Sequence, residues 1–272
     1  MLSEITLGQY FPGNSIIHKL DPRFKIICII LYIVALFSAD SYAAFAAIAV
    51  SSVVIVLASR LNIVMILKSL KPVMFILLFT VAANLLWTTG ETPLVDVWVI
   101  KIYPEGIRYA LLMALRIVCL IVSTFVLLTY TTSPVALTDA IERLLSPFRK
   151  MGLPVHEFSM MMTIALRFIP TLIEETGKII NAQKARGADF ESGNLLRRAK
   201  ALVPILIPLF VSAFRRADEL AGAMECRLYH GGDGRTRMKI MKAKAMDILM
   251  LCVFVIFCGA IVATRFFVEG VI

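Results

Sequence analysis

A set of apolar runs, too long and too numerous for a water-soluble domain of this size, constrains this chain most. "FKIICIILYIVALFSA" covers 24–39, "AAFAAIAVSSVVIVLAS" 43–59 and "PVMFILLFTVAANLLW" 72–87. "YALLMALRIVCLIVSTFVLLTYTT" covers 109–132 and "AMDILMLCVFVIFCGAIVATRFF" 245–267. A helix crosses the hydrocarbon core with about 20 mostly apolar residues, since every peptide group must be satisfied within the segment. Composition agrees: 59% of the 272 residues are apolar, against roughly 45–50% in soluble domains. The runs predict an all-α polytopic membrane protein with about five transmembrane helices.

The connecting charges set an expected orientation, because Lys and Arg accumulate on the cytoplasmic side. Lys19 and Arg23 precede the first run, and Arg60, Lys68 and Lys71 follow the second. The opposite connections carry Asp40, Glu91, Asp96 and Glu105 against Lys101 and Arg108. An N-terminus in the cytoplasm and five spans put every basic-rich connection inside. Four regions follow: a cytoplasmic segment 1–23, a four-span region 24–132, a cytoplasmic helical region 133–244, and a last span with a short tail, 245–272.

Region 133–244 holds 18 of the 28 Lys and Arg but only 11 of the 19 Asp and Glu. It is too long for an ordinary loop and is punctuated like helices. One helix starts with Ser133 as N-cap and Pro134 in the first position and stops at "SPFRKMGLP". A second runs from about Val155 to Arg186, ended by Gly187. A third runs from about Leu195 to Tyr229 and ends at "HGGDG". Its middle, "ALVPILIPLFV" (201–211), is apolar all round. It is expected along the membrane surface or under the spans, and it supplies a sixth span if it dips into the bilayer.

The second and third helices close on related sequences, Ala185-Arg186-Gly187 and Cys226-Arg227-Leu228, each with an alanine three residues before the residue that precedes the arginine. One reading is electrostatic: a cation at a helix C-terminus offsets the dipole, worth roughly 0.3–1 kcal/mol. The other is recognition. Small neighbours let the tip enter a groove where the planar guanidinium meets a carboxylate or carbonyl, and two tips suit a dimeric partner.

Other chemistry is sparse. No GxxxxGK[ST] phosphate loop occurs, no His/Cys set has metal-ligand spacing, and the span cores between 24 and 132 contain no Asp, Glu or His for catalysis at membrane depth. The sequence therefore predicts no catalytic residue, no metal and no enzyme. The basic "RTRMKIMKAK" (235–244) reads as an anchor on anionic lipid rather than a nucleic-acid patch. Arg116 is expected to snorkel or bond to another helix, and Asn84 to join two helices. Asp21 and Pro22 cap the start of the first span.

The opening "GQYFPGNSIIHKLDPRFKI" (8–26) and the paired arginine ends before a last span resemble the transmembrane coupling (T) components of energy-coupling factor transporters, relatives of the cobalt-transport Q subunits. The likeness covers essentially the whole chain. It implies a non-catalytic subunit of a bacterial cell-membrane importer, with region 133–244 as its coupling domain. Arg186 and Arg227, with Ala185, Gly187, Cys226 and Leu228, would dock into two ATP-binding-cassette ATPases. It also implies a small membrane subunit that captures the substrate, with vitamins as the expected cargo. ATP would be used by the partners, and this chain would bind no cofactor. The alternative is a permease that translocates substrate without a capture subunit. Cys226 and Leu228 depart from the Ala-Arg-Gly pattern, which leads to the expectation of a displaced second helix end and an asymmetric pair, as two non-identical ATPases would suit.

Overall fold

The computed structural model describes residues 10–89, 95–97, 100–188, 190, 194–232 and 243–267. They divide into two compact units, one drawn from 8–140 and 240–272 and the other from 141–239. The basic stretch 235–242, Glu91 and Glu269 lie outside the described residues.

The first unit contains α1 (Ile16–Lys19), α2 (Pro22–Phe37), α3 (Tyr42–Ser59), α4 (Ile63–Leu70), α5 (Met74–Trp87), α6 (Pro104–Thr124) and α10 (Ala245–Phe267). Caps explain the starts. The side chains of Ser15, Asp21, Ser41 and Asn62 each accept a backbone N–H from the first turn that follows, satisfying donors that have no partner inside the helix. α6 is the centre, packed against α2, α3, α4 and α5, while α10 packs against α2 and α3. Tyr32, Leu36, Ile48, Cys119 and Ile261 form one apolar cluster, and Ile29, Ile66, Val122 and Val126 belong to a second.

Among the described residues, four helical stretches are long and apolar enough to cross a membrane: Tyr42–Ser59, Ile63–Trp87, Pro104–Tyr130 and Ala245–Arg265. This bears out a polytopic membrane protein and corrects one detail of the expected layout, the connection at 60–71. The first apolar run forms α2, whose 16 residues extend about 24 Å, a length that a locally thinned bilayer accommodates. The supposed loop 60–71 is mostly helix. Asn62 caps α4, Pro72 fits the first turn of a short 3₁₀ stretch (Lys71–Val73), and α5 continues from it. The connection therefore shrinks to Arg60–Asn62, with Arg60 left-handed at φ 54°. A small antiparallel hairpin, β1 (Val95–Val97) with β2 (Ile100–Ile102), pairs Asp96 with Lys101.

Arg116 reaches another helix end: its Nη2 donates to the Ala39 carbonyl at 2.7 Å, and its guanidinium lies 5.2 Å from the Phe45 ring centre. Asn84 instead folds onto its own helix, donating to the Thr80 carbonyl at 2.8 Å.

α6 runs on into one wide π-helical stretch, Phe125–Tyr130. α7 (Pro134–Leu145) then starts under the Ser133 hydroxyl, which accepts the Ala136 N–H at 3.3 Å. In the second unit, a 3₁₀ stretch (Ser146–Met151) leads to α8 (Val155–Ala185), and α9 (Leu195–Cys226) follows.

Candidate functional site

α8 and α9 have 31 and 32 residues and lie side by side. Four contacts fix their direction. The Glu175 carboxylate accepts from the Ser212 hydroxyl, and from Arg216 Nη2 at 2.6 Å. Nearer the end of α8, Gln183 Nε2 makes a long 3.5 Å contact to the Pro204 carbonyl. At the other end, Gly232 sits so close to His156 that a Cβ there would come within 2.3 Å of the ring. As the α8 residue number rises, its α9 partner falls, so the helices are antiparallel.

The Gln183 contact has a local cause. Proline lacks an N–H, so Pro208 cannot close the helical bond to the carbonyl four residues back. That carbonyl belongs to Pro204 and remains open for Gln183. The Glu175–Arg216 pair is about a quarter exposed, and solvent screening limits it to about 1 kcal/mol. It serves chiefly as a brace of fixed register.

Each helix ends on its arginine, and the two ends share one geometry. Arg186 has φ −86° and ψ 6°, and Arg227 has φ −93° and ψ 12°. After Arg186, the Gly187 N–H bonds to Lys184 O at 3.0 Å and the Ala188 N–H to Gln183 O at 3.0 Å. After Arg227, the Leu228 N–H bonds to Glu225 O at 2.9 Å and the Tyr229 N–H to Met224 O at 3.1 Å. This crossed pair is the Schellman closure, which needs a left-handed residue just past the end. Gly187 supplies it at φ 86°, and Leu228 adopts the same hand at φ 54°. The expected displacement of the second end is therefore absent. Leucine holds the glycine conformation instead, at a cost of roughly 1–2 kcal/mol for its Cβ.

Ala185, Arg186 and Gly187 are exposed, as are Cys226, Arg227 and Leu228. Among the described residues, neither guanidinium has a hydrogen-bond or ion-pair partner. The fold does not bring the two triplets together: antiparallel packing puts them at opposite ends of the pair, roughly 35 Å apart along it at 1.5 Å per residue. Sequence reasoning named the tips but missed the braces. Opposite charges at Glu175 and Arg216, and a carbonyl freed by Pro208, were the signals that could have revealed them.

Exposed apolar side chains run along α9 as Leu202, Val203, Leu206, Ile207, Phe210, Val211 and Phe214, one stripe at helical spacing. Phe158, Met161 and Met162 are exposed near the start of α8. Contiguous apolar surface of this kind marks contact with a protein or a membrane.

Together these features define a polytopic helical membrane protein that carries a braced helix pair with two open arginine ends. The pattern of the CbiQ family, described as cobalt transport protein, matches residues 13–240. A protein of Clostridium kluyveri is 54% identical over 265 residues, covering 97% of this chain and 98% of its own. One of Ruminiclostridium cellulolyticum is 49% identical over 260 residues, covering 94% and 96%. One of Heliobacterium modesticaldum is 50% identical over 267 residues, covering 95% and 98%. All three bear the name energy-coupling factor transporter transmembrane protein EcfT. The chain belongs to this family, the transmembrane energy-coupling components of energy-coupling factor transporters.

Proposed function

We propose that this subunit links ATP hydrolysis by two cytoplasmic ATPases to uptake, most fittingly of a vitamin, through a separate membrane subunit that captures the substrate. Arg186 and Arg227 are the docking groups, one for each ATPase, and Ala185, Gly187 and Cys226 keep their surroundings small enough for close approach. Leu228 gives the second tip a different surface on the same backbone, which suits a heterodimer of ATPases. In this reading residues 133–244 face the cytoplasm of a bacterial cell, as the N-terminus does, and the chain is not itself an enzyme.

The observation that carries the proposal is the pair of identically closed, exposed arginine ends on one braced unit. A cation that merely offset the helix dipole would need neither open flanks nor repeated closure. The apolar stripe on α9 is the natural contact for the capture subunit, and a tilt of the α8–α9 pair would carry motion from the tips to it.

The test replaces Arg186 and Arg227 by Glu together. The ATPases should no longer co-purify with the chain, and uptake of a labelled vitamin panel should fall at least a hundredfold. Wild-type assembly and uptake in the double variant would end the docking assignment. If substrate uptake proceeds with only this chain and the ATPases present, the self-sufficient permease is the better description.

A further inference from the structure

The stretch "LDPRFK" (20–25) closes the N-terminal sequence 8–26 that carries the family likeness, yet docking gives it no task. The structure shows what it holds. Lys25 is only 2% exposed, and its three ammonium protons have three acceptors: Thr131 O at 2.9 Å, Thr131 Oγ1 at 3.1 Å and Thr132 Oγ1 at 3.0 Å. Both threonine hydroxyls donate in turn to the Leu127 carbonyl, at 2.8 and 3.3 Å, within the π-helical stretch. Four residues before Lys25, the backbone N–H of Asp21 donates to Asp247 Oδ1 at 3.2 Å, and the other oxygen of Asp247 accepts the Lys244 N–H at 2.8 Å.

These partners lie at two particular places. Thr131 and Thr132 are the last residues before Ser133, where the chain leaves α6 for the inserted helices. Lys244 and Asp247 are where it returns and enters α10. One short N-terminal stretch therefore clamps both the exit and the return of the inserted segment. The preceding residues reinforce it: the Phe11 N–H donates to Tyr130 O at 3.1 Å, and His18 Nε2 donates to Phe11 O at 2.9 Å while its Nδ1 pairs with the Ser15 hydroxyl at 2.6 Å.

We propose that Lys25, with Thr131, Thr132 and Asp247, forms an anchoring clamp that makes energy coupling mechanically tight. A lever transmits only if its ends are fixed. With both junctions held, movement imposed at the tips passes into α6 and α10; with the clamp open, slack at the junctions absorbs it. A buried ammonium suits this task because its donors cannot trade partners with water, so the bonds persist through a cycle. These residues position the coupling segment and touch no substrate. The inference rests on the energy-coupling reading above.

The experiment uses the complete complex, purified with its partners and reconstituted in proteoliposomes, with ATP hydrolysis and uptake of the labelled vitamin panel measured together. The variants are Lys25→Met, Thr131→Val with Thr132→Val, and Thr131→Ser with Thr132→Ser. The Met and double-Val forms should assemble with the ATPases and hydrolyse ATP within twofold of wild type, while uptake per ATP falls at least tenfold. The double-Ser form keeps both hydroxyls and should restore coupling to within twofold. Unchanged uptake per ATP in the Met and double-Val forms would overturn the clamp. So would a double-Ser form as uncoupled as the double-Val form, or uptake that falls only in proportion to assembled complex. If Lys25→Met does not insert, the two threonine pairs decide alone. Failure of the energy-coupling reading looks different: the wild-type chain itself would not retain its ATPases.

Discussion

At the scale of single residues, the most informative position is Leu228. Its sequence carries no turn signal, since leucine is ordinarily a helix former, and the second helix was expected to end elsewhere for that reason. The crossed hydrogen bonds to Glu225 O and Met224 O override the local preference and hold leucine left-handed. Leu228→Gly should therefore raise the stability of the α9 end by about 1 kcal/mol, read as a higher unfolding temperature of the purified chain. The converse, Gly187→Ala, should cost a similar amount. Gly187 was legible because glycine announces the conformation it supplies. Leu228 was not, because the local capping bonds supply it instead. Lys25 was hidden for a related reason: spacing shows that a lysine starts an apolar run, but not that three acceptors lie 106 and 107 residues away.

At the scale of elements, starts were easier to read than ends. Ser133, Asp21 and Pro134 declared their helices, whereas the connection 60–71 misled because its charges resemble a loop. Asn62 and Pro72 are helix-starting residues and were the better signal there. The prolines of α9 shape the element most. Pro208 leaves the Pro204 carbonyl open, and Gln183 uses it. Pro208→Ala should return an N–H to that carbonyl and strengthen the middle of α9 by roughly 1–3 kcal/mol. Amide hydrogen exchange over 204–212 should slow at least tenfold, and Gln183 should lose its acceptor. If bending of α9 is part of the cycle, uptake should fall in this variant although its stability rises.

At the scale of the whole molecule, the apolar runs disclosed the membrane class and the charge pattern isolated the inserted helices. What one-dimensional reading lacked was the partnering of distant positions: Arg116 with Ala39, Asp21 with Asp247, Glu175 with Arg216. The antiparallel α8–α9 arrangement has a direct measurement. Spin labels at Lys184→Cys and Glu225→Cys, in a background with the native cysteines replaced, should report a distance of roughly 30–40 Å by the 1.5 Å helical rise. A distance under about 20 Å would mean that the tips converge, and the register given by Glu175, Ser212 and Gln183 would then fail.

One consequence follows from the brace between α8 and α9. Arg186 lies eleven residues beyond Glu175, and Arg227 lies eleven residues beyond Arg216. In an antiparallel pair this equal spacing makes the ion pair a pivot with two arms of matched length. A partner assembly with its own two-fold axis over that pivot would meet both tips in equivalent positions. Turning such a partner about the axis would load the arms evenly, whereas drawing its halves together would press on both at once. The midpoint would stay still while the ends move, as in a balance beam, and the motion available to the rest of the protein would be set by the lengths of the arms.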